Sequence, residues 1–158
     1  MSKTTTQIQY ETLLVHPIEL VWDALTKPQA IAQWCMETDF MPVLGHKFQF
    51  RGKKNRFWRG WVDCEVLEVV RSNRLCFSWQ SMAHHSRTIV TYELGSESAG
   101  TRIRATHSGF DHTHGWFSGW LFRTMVKSGL KRELRDWLPQ VLENGWEGNF
   151  GTAIDRSK

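Results

Sequence analysis

The chain has 158 residues, a formal charge of +4 and a composition 41% hydrophobic and 23% charged, which suffices for one domain with a real core and requires no disulfide or metal staple. No apolar run approaches the roughly 18 residues of a membrane span, and the opening "MSKTTTQIQY" has no apolar leader segment, so the sequence is read as cytoplasmic. Cys35, Cys64 and Cys76 lack CxxC spacing and fit small core residues in a reducing compartment, while nine Trp and nine Phe against two Tyr supply aromatic surface for a core or a cavity.

In chain order, residues 4 to 15 read as a strand. Pro17 suits the first turn of a short helix through Leu25, which places Val21, Trp22 and Leu25 on one face. Pro28 restarts the chain into a second short helix with Ile31 and Trp34 inward. The segments "KFQFR" (47–51), "FWRGWVDCEVLEVV" (57–70), "RLCFSW" (74–79), "TIVTYEL" (88–94) and "TRIRATHSGF" (101–110) alternate with period two. Short polar breaks such as "RSN" and "GSESAG" separate them, so they predict an antiparallel meander. From Trp116 to Leu142 the period becomes helical, with Phe122, Val126, Leu130, Leu134, Trp137 and Val141 on one stripe, and Pro139 predicts a kink or break near the end. With no linker or repeat, residues 1–158 are read as one domain, its core at about 8–142 and a flexible tail at about 147–158.

One long helix and a run of strands leave few compact solutions: an α+β fold in which the sheet curls around the helix that covers its apolar face. The blocks "VWDALTKPQAIAQW", "GHKFQF", "EVLEVVRSNRLCFSW", "TIVTYEL" and "GTRIRATHSGF" resemble, in this order, the domain named after the activator of the 90-kDa heat-shock chaperone ATPase, of the START-like superfamily abbreviated SRPBCC. Departures from that pattern include Cys64 in place of a usual Gly, Arg71-Ser72 in place of a frequent Pro pair, and Gly45-His46 in place of a Gly pair. The resemblance implies a helix-grip (START-like, birch-pollen-allergen-like) fold: a curved antiparallel sheet wrapped around a long C-terminal helix, with two short helices after the first strand. In that fold Trp22 and Trp34 serve as wedge and core, and a cavity lies between sheet and helix.

Alternation indicates which side chains face that cavity. Ile103, Ala105 and His107 share one face of the last strand and Arg102, Arg104 and Thr106 the other; Phe48, Phe50, Leu75, Phe77, Trp79, Val90, Tyr92 and Leu94 are likewise expected inward. The strand at 57–70 is ambiguous, because either Leu67 and Val69 or Cys64 and Val66 can point in. Pairing Leu67 with Phe77 and Val69 with Leu75 keeps apolar residues together and turns Trp61, Asp63 and Glu65 inward. The expected ligand-binding set is therefore Phe48, Phe50, Trp61, Glu65, Phe77, Trp79, Tyr92 and His107 from the sheet, with Phe122, Val126, Leu130 and Trp137 from the helix.

His107 and Glu65 are the candidates for proton transfer. A hydrogen-bonded core histidine and a carboxylate reaching solvent are the preferred readings, since no nucleophile or cofactor motif accompanies them, and no catalytic residue is assigned. Asp111, His112 and His114 lack spaced partner ligands and His84-His85 fall in a loop, so no metal is expected. No cofactor is expected either, since no glycine-rich phosphate loop or GxSxG elbow occurs.

Three functions are weighed. The first and preferred is a binding module for a small apolar or aromatic molecule. The second is a regulator of the 90-kDa heat-shock chaperone; the members known to act so carry this domain beside another, and only one domain is read here. The third is a cofactor-free cyclase-, aromatase- or hydrolase-like enzyme, ranked below binding. Arg123, Lys127, Lys131 and Arg135 form a basic ridge at i+4 spacing, read as a solvated helix face, with an acidic chaperone surface as the alternative. No nucleic-acid-binding pattern accompanies the ridge.

Overall fold

A computed structural model describes residues 6–81, 87–110 and 116–146, the side chains of residues 6 and 116–122 excepted. Seven antiparallel strands form one sheet in the order β1-β7-β6-β5-β4-β3-β2. They are β1 (Thr6–Leu14), β2 (Glu37–Thr38), β3 (Lys47–Arg51), β4 (Trp61–Val70), β5 (Arg74–Gln80), β6 (Thr88–Glu97) and β7 (Gly100–Phe110). The helices are α1 (Ile18–Thr26), α2 (Pro28–Trp34), α3 (Trp116–Arg132) and α4 (Leu138–Asn144), the last two joined by a π turn over Glu133–Trp137. Strands β3 and β5 to β7 are legible as alternation. β2, two residues long, carries no period to read.

Two prolines punctuate the opening helices. Pro17 caps α1 in an extended conformation, its carbonyl accepting from the amides of Leu20 at 3.0 Å and Val21 at 3.1 Å. Lys27, held extended as residues before proline are, ends α1, and Pro28 starts α2. The Trp34 indole N–H donates to the Ala24 carbonyl at 2.9 Å and its ring meets Tyr92 edge-on at 6.3 Å, tying both helices to the sheet. Trp22 and Trp34 are buried. Trp34 thus locks helix to helix and helix to sheet, and Trp22 is a core residue.

The sheet's inner face is a continuous aromatic and aliphatic layer. On β7, Ile103, Ala105 and His107 are buried. Arg102 and Arg104 point the other way, where both pair with Glu11 of β1. One tight corner depends on glycine: Gly100 opens β7 at φ 143°, and a Cβ there would lie 2.1 Å from the Leu14 carbonyl oxygen.

β4 departs from the expected register. Val62, Cys64 and Val66 are buried, with Cys64 opposite Trp79 and Val66 opposite Phe77. A bulge between Val66 and Glu68 then absorbs one residue, so Val69 pairs with Leu75 while Leu67 is turned outward. The bulge reverses parity within the strand. Trp61, Asp63 and Glu65 consequently lie on the outer face, contrary to the expectation from uniform alternation.

The C-terminal helix is also not uniform. Pro139 has no N–H to give and crowds the carbonyl one turn back, and the helix widens into the π turn just before it. The widening inserts one residue into the stripe. Leu130, Leu134, Leu138, Val141 and Leu142 are buried, whereas Trp137 is only half-buried.

Candidate functional site

Between the inner face of the sheet and the helical stripe lies a pocket of about 600 Å³. Its sheet wall is Phe50, Val62, Phe77, Trp79, Val90, Tyr92 and His107; its helix wall is Met125, Val126, Gly129, Leu130 and Glu133. Cys35 and Met36, directly after α2, close one side, and Asn55, Phe57 and Trp58 from the β3–β4 hairpin form part of the rim. Phe57 and Met125 are 81% and 64% exposed, which marks the mouth.

Seven of the residues expected in the site, Phe50, Phe77, Trp79, Tyr92, His107, Val126 and Leu130, share this wall. Phe48 lies behind it, packed edge-on against Phe50 at 5.4 Å and Phe77 at 5.7 Å. Trp61 is 38% exposed on the outer face, beneath the Arg59 guanidinium at 4.7 Å. Glu65 is on that face too, its carboxylate accepting from Arg87 at 3.0 Å. Trp137 is displaced by the π turn and packs at the edge of the core, with the Arg132 guanidinium 5.8 Å from its ring. The side chain of Phe122 lies outside the described residues, as do His84, His85, Asp111, His112 and His114.

The polar groups of the pocket are few and defined. The Thr88 hydroxyl lies within hydrogen-bond distance of both the Trp79 carbonyl, at 3.2 Å, and Nε2 of His107, at 2.6 Å. Burial pulls the His107 pKa down to about 4, so the ring is neutral near pH 7. Burial likewise holds the Tyr92 phenol well above its ordinary range, and the Glu133 carboxylate adds to the effect. Tyr92 therefore remains a neutral hydrogen-bonding group. Cys64, by contrast, is a buried thiol with its pKa pushed up and belongs to the core behind the pocket.

Glu133 is the residue the sequence pattern should have offered. Val126, Gly129, Leu130 and Glu133 stand at i, i+3, i+4 and i+7, one helical face, and a carboxylate on such a face is a marked exception. The expected stripe steps from Leu130 to Leu134 and so passes over it. Cys35, Met36, Phe57 and Trp58 reach the pocket through chain reversals that carry no periodic signal. Among the described residues no group of three His, Cys, Asp or Glu side chains is arranged to hold a metal ion.

A seven-stranded antiparallel sheet gripping a C-terminal helix, with a pocket between them, defines the helix-grip, START-like class, a fold compatible with a ligand-binding module. The chain belongs to the family described as Activator of Hsp90 ATPase homolog 1-like protein, whose model matches residues 15–143. Among solved structures it is similar to protein MLL2253 from Mesorhizobium loti, at 30% identity and TM-score 0.76 over 89% of this chain and 98% of that one. It is also similar to Bacillus halodurans protein BH1534, at 27% identity and TM-score 0.71 over 87% and 96% of the two chains. DynU16, a protein in the dynemicin biosynthetic locus, shares the fold at 20% identity and TM-score 0.68, over 89% of this chain and 48% of that one. A search among curated proteins gave no match to the sequence. Among the described residues no helix is long and apolar enough to cross a membrane.

Proposed function

We propose that the protein binds a small, largely apolar ligand in the pocket between sheet and helix. The observation that carries this reading is the pocket itself: about 600 Å³, walled by aromatic and aliphatic side chains, with a handful of polar groups. Ligand sites commonly have this size, about 300–1,000 Å³, and this balance of surfaces. Phe77, Trp79 and Phe50 supply apolar area, while the His107 imidazole, the Tyr92 hydroxyl and the Glu133 carboxylate can orient a polar substituent. Catalysis draws no support from His107, because a base with a pKa near 4 is poorly matched to proton abstraction near pH 7. Glu65, the other proton-transfer candidate, faces away from the pocket.

Naphthol is a suitable probe, since it combines an aromatic body with one hydroxyl. Titration should quench or shift the fluorescence of Trp58 and Trp79, both on the pocket wall. Trp79→Ala should lower naphthol affinity by about 1–3 kcal/mol, the range for removing a buried aromatic anchor. Equal affinity in the variant would detach Trp79 from the site.

The family description favours a second reading, regulation of the 90-kDa heat-shock chaperone. Arg123, Lys127, Lys131 and Arg135 are all exposed, as a docking ridge requires, although Arg135 is engaged by Asp136 at 2.7 Å. Arg123 and Lys127 also line a shallow groove with Gln7, Ile8 and Gln9 of β1. Under this reading, Arg123→Glu with Lys127→Glu should weaken chaperone association and flatten its salt dependence at unchanged stability. Absence of both binding and ATPase change with the unaltered protein would end it.

A further inference from the structure

The rim of the pocket has a composition that the pocket does not explain. Between Phe50 and Val62 the chain reads "RGKKNRFWRGW", basic and aromatic with no acid. It is an ordered hairpin: the Gly52 amide donates to the Gly60 carbonyl at 2.8 Å, the Asn55 amide to the Trp58 carbonyl at 3.0 Å, and the Phe57 amide to the Asn55 side chain at 2.8 Å. Trp58 turns inward, where its ring packs so tightly on Gly52 that an added Cβ would meet it at 2.9 Å. Phe57 turns outward and is 81% exposed. Arg59 is engaged by Asp63 at 2.8 Å. Lys53, Lys54 and Arg56 are exposed, and among the described residues no carboxylate pairs with any of them. Across the mouth, Met125 presents a second exposed apolar side chain.

We propose that this hairpin docks the protein on an anionic lipid bilayer, with Phe57 and Met125 entering the interface, so that the pocket takes up its apolar ligand from the membrane. A bilayer surface supplies both complements in the right order of depth. Anionic headgroups meet Lys53, Lys54 and Arg56, and the apolar boundary beneath them receives the ring. An apolar ligand then passes between bilayer and pocket without crossing water. Single-stranded nucleic acid would match the charge but would leave the apolar lips of the mouth unused, since stacking calls for several ring platforms in a row. The loading role rests on the pocket reading, whereas the docking rests on the hairpin and the exposed Met125 across the mouth.

The test is co-sedimentation of the full chain with vesicles of phosphatidylcholine alone and of phosphatidylcholine with phosphatidylserine. The expected result is pelleting with the anionic vesicles that falls as salt rises from about 0.1 M, and little with neutral ones. Lys53→Glu, Lys54→Glu and Arg56→Glu together should lower that affinity by at least on the order of a hundredfold, with the melting curve and naphthol titration unchanged. Phe57→Ser should remove the binding that survives high salt. No pelleting, or pelleting unaffected by the triple reversal, would overturn the proposal. So would tight binding of single-stranded RNA without vesicle binding. Vesicle binding without naphthol binding would keep the docking and remove the pocket reading; the reverse outcome would do the opposite.

Discussion

Leu134→Asp should yield no cooperatively folded protein. Leu134 is fully buried in the helical stripe, within the cluster that joins sheet to helix. Loss of a buried leucine side chain costs about 2–5 kcal/mol, and an unpaired carboxylate in the same place adds several more. Together these rival the whole stability of a domain, about 5–15 kcal/mol. Leu130→Asp is the contrasting variant. Leu130 borders the pocket, where a carboxylate can turn toward the open space, so a destabilised but cooperative melt is expected. Circular dichroism during a thermal ramp separates the two outcomes. A sharp transition for Leu134→Asp close to the wild-type temperature would place that helix face outside the core.

Acid should weaken the fold through His107. The ring is buried and neutral, with a pKa of about 4 against roughly 6.5 in an unfolded chain. Between those values the unfolded state holds the extra proton, so stability rises with pH across that window. The contribution is fully present above about pH 6.5 and is lost as pH falls toward 4. The shift corresponds to ~3 kcal/mol at most. Carboxylates held low by ion pairs, such as Glu11 beside Arg104 and Glu97 beside Arg102, add their own acid sensitivity, so the readout is a difference. Denaturant unfolding of wild type and His107→Gln at pH 7 and pH 4 should show the wild-type advantage shrinking by about that amount. An advantage independent of pH would mean that His107 titrates normally.

The architecture was largely legible because alternation and helical period are local signals and the elements here are long. Strands β3 and β5 to β7 follow their apolar alternation, and Pro17 and Pro28 mark the two opening helices within a residue. Two local irregularities defeated the finer reading. The β4 bulge admits Cys64, Val66 and Val69 to one face, which uniform alternation forbids, and so Trp61 and Glu65 were expected on the wrong side. The π turn before Pro139 moves Trp137 off the stripe and Leu138 onto it. Each inserts a single residue, and each is set by packing that only the folded chain supplies. The rim of the pocket was illegible for a different reason. Phe57, Trp58, Cys35 and Met36 converge from turns, and no spacing in the sequence brings a hairpin tip to the end of a helix.

The pocket is the centre of the functional reading, and the position of a bound molecule tests it most directly. Amide chemical-shift mapping during naphthol titration locates the ligand residue by residue. Saturable shifts are expected at Cys35, Phe77, Tyr92, His107, Val126 and Gly129, which converge on one volume from α2, the sheet and α3. The exposed apolar loop carrying Met41, Val43 and Leu44 should stay unchanged. Shifts confined to that loop or spread over the outer face of the sheet, with Tyr92 and Val126 unmoved, would contradict a ligand site between sheet and helix.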